Sequence, residues 1–124
     1  MGDCSVVLLH GAGIGPWAWE RVRSRLSVPS IAPEVPGRFV GATPEACAEQ
    51  LAADIDAFTA GDVVLVAHSL CGVLVPGLAE RLGSRLKHVV YVSAVIPSAG
   101  QSFLAAIGFP MGLVIRTLDR KSVV

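Results

Sequence analysis

The sequence has no excess of either charge, since 10 basic and 10 acidic residues give a formal net charge of zero. A nucleic-acid-binding protein usually carries a basic surface, and this composition argues against one. Cysteine is also scarce: Cys4, Cys47 and Cys71 form no CxxC or metal-ligating spacing. This usage fits a reducing compartment, so we expect a cytoplasmic protein that holds neither a metal nor a cofactor.

A basic segment followed by a long apolar run is missing from the N-terminus, so the sequence predicts no secretory signal. Charged residues are also missing between Val89 and Ile115, a stretch long enough to raise the question of a membrane span. Prolines and polar residues interrupt it, which favours a buried strand, a loop and a short helix. Hydrophobic residues make up 52% of the 124 residues, enough for the core of one domain.

Strand and helix patterns alternate along the chain. Apolar, β-branched runs predict strands at Ser5–Leu9, residues 28–35, Val63–Ala67 and His88–Ile96. Helices are predicted from Pro16, from Pro44 with Thr43 as its N-cap, and from Leu70, the last with a kink at Pro76. This alternation predicts an α/β fold of three layers around a mostly parallel sheet.

A serine stands where a predicted strand meets a predicted helix. Ser69 follows the Val63–Ala67 strand directly, at a point where a sharp turn would lift its hydroxyl above the sheet. The usual form of this turn is Gly-x-Ser-x-Gly, whereas here the outer positions are Ala67 and Cys71, and Gly72 comes one place later. The alternative interpretation is a buried strand that ends in an ordinary serine.

Acyl transfer requires a nucleophile, a base and donors for the developing oxyanion. Ser69 is the candidate nucleophile, and the backbone N–H of Leu70 is one candidate donor. The second donor should come from the loop after the first strand, residues 10–13, where glycines allow close approach of the backbone.

Four motifs occur in one order: His10-Gly11-Ala12, Pro16-Trp17-Ala18-Trp19, Ile31-Ala32-Pro33-Glu34-Val35-Pro36-Gly37 and Ala67-His68-Ser69-Leu70-Cys71-Gly72. Together they resemble the first half of an α/β-hydrolase, over residues 5–104. The HGAxxGxWxW pattern is similar to the branch that contains methyl esterases, hydroxynitrile lyases and related bacterial esterases.

The resemblance implies an incomplete α/β-hydrolase fold that acts on a small ester-like substrate. It makes Ser69 the nucleophile and the backbone amides of Ala12 and Leu70 the oxyanion hole. The remaining motif residues would support this site: His10, Gly11, His68 and Gly72. Between ester hydrolysis and cyanohydrin cleavage the residues leave the choice open, and hydrolysis is the broader class.

The base and the acid of a catalytic triad are missing from the matching positions. In the family both follow later in the chain, but no acidic residue follows Ile96 before Asp119. His68 adjoins the serine at a tight turn and should point away from it. We expect His10 to be structural and His88 to lie on the surface. A serine and oxyanion hole alone retain a small part of the catalysis, so we expect little activity.

The last six residues, 119–124, can be translated from a widely used sequencing adapter. We therefore predict that residues 1–118 are the N-terminal part of a hydrolase domain and that residues 119–124 are a non-native tail. A chain stopped there would expose a strand edge and apolar faces, and should aggregate.

The sequence leaves three alternatives open. A dinucleotide-binding module is suggested by Gly11-Ala12-Gly13 and an acid, Glu34, about 20 residues on, but Pro16 occupies the third glycine position. A small-ligand receptor could retain the hydrolase scaffold without its chemistry. Cys71 could be a nucleophile, although no base for it is visible. The oligomeric state is open.

Overall fold

A computed structural model describes residues 3–36 and 43–96 of the chain, which form a four-stranded parallel sheet in the order β2-β1-β3-β4. The strands are β1 (Cys4–Leu9), β2 (Ser30–Ile31), β3 (Asp62–His68) and β4 (Leu86–Val92). The α-helices are α1 (Glu20–Arg23), α2 (Pro44–Phe58) and α3 (Val75–Leu82). Shorter 3-10 helices span Pro16–Trp19, Ser69–Leu74 and Gly83–Arg85. The predicted α/β fold is confirmed.

The strand order places β1 directly beside β3. These two strands pair along their whole length, from Cys4 opposite Asp62 to Leu9 opposite Ala67. The chain leaves β1 toward β2 on one side and leaves β3 toward β4 on the other. In the dinucleotide-binding fold, β2 lies between β1 and β3, whereas here β1 lies between β2 and β3. The dinucleotide-binding alternative is therefore not supported by the fold.

The core lies between the sheet and two helices. Alternate residues of β3 are fully buried, and they pack with α2 and α3 in one apolar cluster that includes Val63, Leu65, Ala67, Leu51, Ile55 and Leu78. The crossovers that contain α2 and α3 run in the same direction along the sheet, and right-handed crossovers then lie on the same face. The two helices accordingly contact each other.

Helix α2 begins as its sequence predicts. The Thr43 hydroxyl accepts a hydrogen bond from the N–H of Ala46 at 3.1 Å, and Pro44 occupies the first turn. Such a cap satisfies one of the free N–H groups at a helix start. The predicted N-cap is confirmed.

Other elements differ from their predicted bounds. Only Ser30 and Ile31 pair as β2, because Pro29 and Pro33 flank them and proline gives no N–H to a ladder. The predicted kink at Pro76 is wrong, since Pro76 lies in the first turn of α3, where a missing N–H interrupts no hydrogen bond.

The segment after β1 also differs from its prediction. It forms a 3-10 helix and then the four-residue α1, and neither contains a buried residue. Trp17 is 64% exposed and Val22 41%, although the near-helical spacing of Trp17, Trp19, Val22 and Leu26 predicts a buried face. This side of the sheet is covered less completely than the side under α2 and α3 in the described part of the chain.

Strand β4 begins at Leu86, two residues earlier than predicted, and ends at Val92. Within the described residues it pairs with β3 alone, and Val90, Tyr91 and Val92 are each more than a third exposed. His88 is exposed, as predicted. The predicted tail, residues 119–124, and most of the uncharged run lie outside the described residues. Across residues 3–36 and 43–96, no helix is both long and apolar enough to cross a bilayer.

Candidate active site

Ser69 occupies a strained turn at the carboxyl end of β3. Its φ of 57° places a non-glycine residue in the left-handed region, which costs about 1–3 kcal/mol. His68 before it is still extended, and the chain enters a 3-10 helix at Ser69 itself. A serine in this conformation between a strand and a helix is the geometry of a nucleophile elbow.

The loop after β1 reaches this turn because β1 and β3 are neighbours. A Cβ built on Gly11 would lie 3.0 Å from the Cβ of Ser69 and 3.1 Å from Nδ1 of His68. A side chain at position 11 would have to displace Ser69 or His68, so a glycine suits this close approach. Ala12 and Gly13 follow in an exposed turn. The structure thus brings together the two segments that the sequence proposed as one site.

This position is where open parallel sheets bind ligands. Crossovers leave β1 and β3 in opposite directions, and the loops at their carboxyl ends diverge around a crevice. Ser69 and Leu70 are half-buried at this crevice, and Ala12 is exposed. A small molecule can therefore reach the region from solvent.

Gly72 packs against the loop that follows β4. A side chain here would collide with the backbone carbonyl of Val95. The N–H of Val95 in turn donates a hydrogen bond to the carbonyl of Ser69 at 3.1 Å. The turn that carries the serine is thereby attached to β4 as well as to β1, and Gly72 is required for that attachment.

Cys71 occupies the usual glycine position of the motif, and its side chain is buried. Its Sγ donates a hydrogen bond to the carbonyl of His10, 61 residues earlier, at 2.9 Å. Burial, and next the nearby Cys47, raises the pKa of the Cys71 thiol to about 12. The thiol is protonated at neutral pH, so the geometry does not favour Cys71 as a nucleophile.

His10 is buried, and both of its ring nitrogens have partners in the protein. The N–H of Val35 donates to Nε2 at 3.0 Å, so the proton lies on Nδ1, which donates to the carbonyl of Gly11 at 3.0 Å. A Glu34 oxygen lies 4.0 Å from Nε2, whose lone pair is already engaged. His10 thus links the loops that follow β1 and β2.

His68 lies beside Gly11 and packs edge-to-face on Trp19, with ring centroids 6.2 Å apart and planes at 85°. Trp19 was not identified as a site neighbour from the sequence, although its closeness in sequence to the His10–Gly11 loop was a possible signal. Its indole Nε1 is buried without a hydrogen-bond partner among the described residues.

The described residues do not complete a triad around Ser69. Within residues 3–36 and 43–96, no hydrogen bond joins its hydroxyl to an imidazole or a carboxylate, and the bonds near it are those of His10, Cys71 and Val95. The same residues contain no group of three or more His, Cys, Asp or Glu side chains placed to bind a metal ion. What they present is a strained serine beside a glycine loop.

A serine on a strained strand-to-helix turn, beside a loop from the neighbouring parallel strand, defines the α/β-hydrolase class. The model of the alpha/beta hydrolase family matches residues 6–122, and the chain belongs to this family.

Individual relatives agree with this class. The chain is 29% identical to a carbendazim-hydrolysing esterase of Nocardioides sp., covering 80% of this chain and 45% of that protein. An extracellular α/β-hydrolase from a Paenibacillus species, described as sharing structural and functional homology with tobacco salicylic acid binding protein 2, superposes with a TM-score of 0.83 at 22% identity. That superposition covers 97% of this chain and 52% of the other.

A pyrethroid hydrolase from Sphingobium faniae superposes with a TM-score of 0.63 at 23% identity, covering 77% of this chain and 42% of that one. The chain therefore spans about half the length of these relatives. The predicted membership of the α/β-hydrolase superfamily, with an incomplete fold, is confirmed.

Proposed function

We propose that this chain carries the nucleophile and the oxyanion hole of a serine hydrolase that cleaves carboxylic esters. Ser69 is the nucleophile, and the backbone amides of Ala12 and Leu70 receive the charge of the tetrahedral intermediate. His10, Gly11, His68 and Gly72 shape the site around them. The substrate is a small ester, and the proposed chemistry uses no cofactor.

The observation that carries this proposal is the φ of 57° at Ser69. A strained backbone persists only where the surrounding structure requires it, and such strain clusters at active sites. The approach of Gly11 to within 3.0 Å of the serine, measured from a Cβ built on the glycine, supports a backbone oxyanion hole. The Nocardioides relative, itself an esterase, supports the ester as substrate class.

We expect the chain alone to be a poor catalyst. A serine with an oxyanion hole but no general base retains a small part of the rate enhancement of a triad. In the described residues the imidazole of His10 is engaged by Val35 and Gly11, and His68 packs on Trp19. The base and the acid are proposed to belong to a part of the protein beyond the described residues.

A serine-directed fluorophosphonate probe tests the nucleophile. We expect slow covalent labelling of the 124-residue chain at Ser69, located by peptide mass spectrometry, and none in Ser69→Ala. Turnover of p-nitrophenyl acetate by the same sample should be close to background. Labelling that persists in Ser69→Ala, or that maps to Cys71, would disprove the assignment.

A small-ligand receptor is the second candidate. It is favoured by the lack of a base near Ser69 in the described residues and by the Paenibacillus neighbour, which is likened to a salicylic acid binding protein. Salicylate is a suitable probe. A rise in melting temperature with salicylate, without any labelling of Ser69, would favour the receptor over the hydrolase.

A cytoplasmic location remains a proposal. It is supported by three unpaired thiols, two of which are buried and donate hydrogen bonds to carbonyl groups. The Paenibacillus neighbour is extracellular, so the location of this protein requires its own measurement by cell fractionation.

A further inference from the structure

In a Gly-x-Ser-x-Gly turn, a glycine stands two residues after the serine. In this chain that residue is Cys71, and its thiol makes a specific contact. Cys71 is 2% exposed, and its Sγ lies 2.9 Å from the carbonyl oxygen of His10. A glycine at position 71 would make no such bond. The contact joins the turn that carries Ser69 to the first residue of the loop after β1.

The direction of this hydrogen bond is set by the thiol. Because Cys71 is buried and its pKa is high, it stays protonated at neutral pH and donates to the carbonyl. The acceptor belongs to the His10–Gly11 peptide, so the bond restricts the orientation of that peptide. Gly11 is the residue that approaches Ser69, and Ala12 follows it.

The rest of the loop is anchored from the other side. The His10 ring accepts a hydrogen bond from Val35 and donates one to Gly11. These bonds attach the loop to the segment after β2, whereas the Cys71 thiol attaches it to the serine turn. Cys47 makes a comparable bond to a different loop, since its Sγ donates to the carbonyl of Pro36 at 3.0 Å.

We propose that Cys71 is a positioning residue, whose thiol holds the His10 carbonyl and thereby fixes the oxyanion loop against Ser69. The inference rests on the proposed function, because it assigns the Ala12 amide of this loop to the oxyanion hole. Cys71 does not touch the substrate or the reacting atoms. It acts by keeping the loop in place before a substrate arrives.

Backbone ¹⁵N relaxation of the full chain tests the proposal without any need for turnover. In Cys71→Ala, we expect the order parameters of the amides of residues 11–13 to fall from about 0.85 toward about 0.6, because the His10 carbonyl loses its donor. Cys71→Ser keeps a donor and should restore most of the order. Cys47→Ala is the matched control, and it should leave the order parameters of residues 11–13 unchanged.

The unmutated protein provides a second measurement. A thiol that donates to a carbonyl absorbs at a lower S–H stretching frequency than a free thiol. Cys47 and Cys71 both donate, so the shifted absorption should lose the contribution of one thiol in Cys71→Ser and retain that of Cys47. An S–H band of Cys71 at the free-thiol frequency, or equal order parameters of residues 11–13 in Cys71→Ala and Cys47→Ala, would overturn the proposal. Failure of the probe to label Ser69 would remove the proposed hydrolase while leaving the relaxation result in place.

Discussion

At the amino ends of β3 and β4 the chain is held by charged hydrogen bonds, whereas at their carboxyl ends it is held by neutral ones. Arg85 donates to the carbonyls of Gly61 and Thr59 at 3.0 and 2.7 Å and pairs with Asp56 at 2.7 Å. The carboxyl ends have the Cys71 thiol and the backbone bond between Val95 and Ser69 instead.

The difference follows from what each end has to do. The amino end binds no ligand in folds of this kind, so a guanidinium can close it with several bonds at once. The carboxyl end has to keep a serine within reach of solvent, and it accepts a strained φ there. Charged hydrogen bonds therefore close one end of the sheet, and the candidate chemistry lies at the other.

The largest effect is expected at Gly72. Gly72→Ala places a methyl group against the Val95 carbonyl, and a backbone group cannot rotate away. We expect a loss of about 3 kcal/mol in the free energy of unfolding, measured by chemical denaturation. Gly15→Ala is the control, because its nearest neighbour is the exposed side chain of Trp17, which can move. Equal losses of stability in Gly72→Ala and Gly15→Ala would show that the chain around Gly72 is not tightly packed.

Arg85→Met removes the guanidinium from the amino end. Two backbone carbonyls and a carboxylate lose their donor, and we expect a loss of about 2 kcal/mol in the free energy of unfolding. Arg81→Met is the matched control. Within residues 3–36 and 43–96, the Arg81 guanidinium hydrogen-bonds only to its own helix, at the Gly77 carbonyl, so its replacement should change stability by less than about 0.5 kcal/mol. A loss in Arg85→Met no greater than in Arg81→Met would contradict the stabilising role proposed for the Arg85 hydrogen bonds.

The Cys71 thiol predicts a dependence of stability on pH. Its pKa is raised from 9.0 to about 12 on folding, so its contribution is complete below pH 9 and disappears as the pH rises toward 12. By about pH 10 the loss should be about 1.4 kcal/mol. Denaturant titrations at pH 7 and above 9 should show a smaller decline in Cys71→Ala than in the unmutated chain. An equal decline of the free energy of unfolding in both proteins would mean that groups other than Cys71 cause the loss of stability at high pH.

The smallest effect is expected at Ser69, where a substitution should raise the free energy of unfolding instead of lowering it. Ser69→Gly relieves a left-handed backbone, and we expect a gain of about 1 kcal/mol relative to Ser69→Ala, which retains the strain. Melting temperatures of the two variants measure this difference. A melting temperature of Ser69→Gly at or below that of Ser69→Ala would show that the turn is not strained. A higher stability without the serine would show that the carboxyl end of the sheet contains a strained residue, in contrast to the amino end, where Arg85 stabilises the fold.

The sequence was most informative where the signal is local. Thr43 and Pro44 mark the start of α2, and β3 runs directly into the serine turn, because capping and turn geometry depend on adjacent residues. It was least informative about exposure. Trp17 and Val22 belong, with Trp19 and Leu26, to an apolar set at near-helical spacing. They nevertheless remain exposed, since spacing tells which residues share a face and not whether that face is covered.

Part of the candidate site could not be read from the sequence. The bond between Cys71 and His10 and the packing of Gly72 on Val95 join residues distant in the chain. From the sequence, Cys71 was a substitute at a glycine position of the motif and an alternative nucleophile without a visible base. Its thiol gained a partner because β1 and β3 are adjacent at their carboxyl ends.

By itself, the sequence determined the alternation of strands and helices and the sharp turn that presents Ser69, because periodicity and turn chemistry are properties of neighbouring residues. The tertiary structure alone decided which loops meet that serine, which thiol holds them, and which apolar residues stay in contact with water. These features depend on the order of the strands in the sheet, and that order is set by the packing of the whole chain.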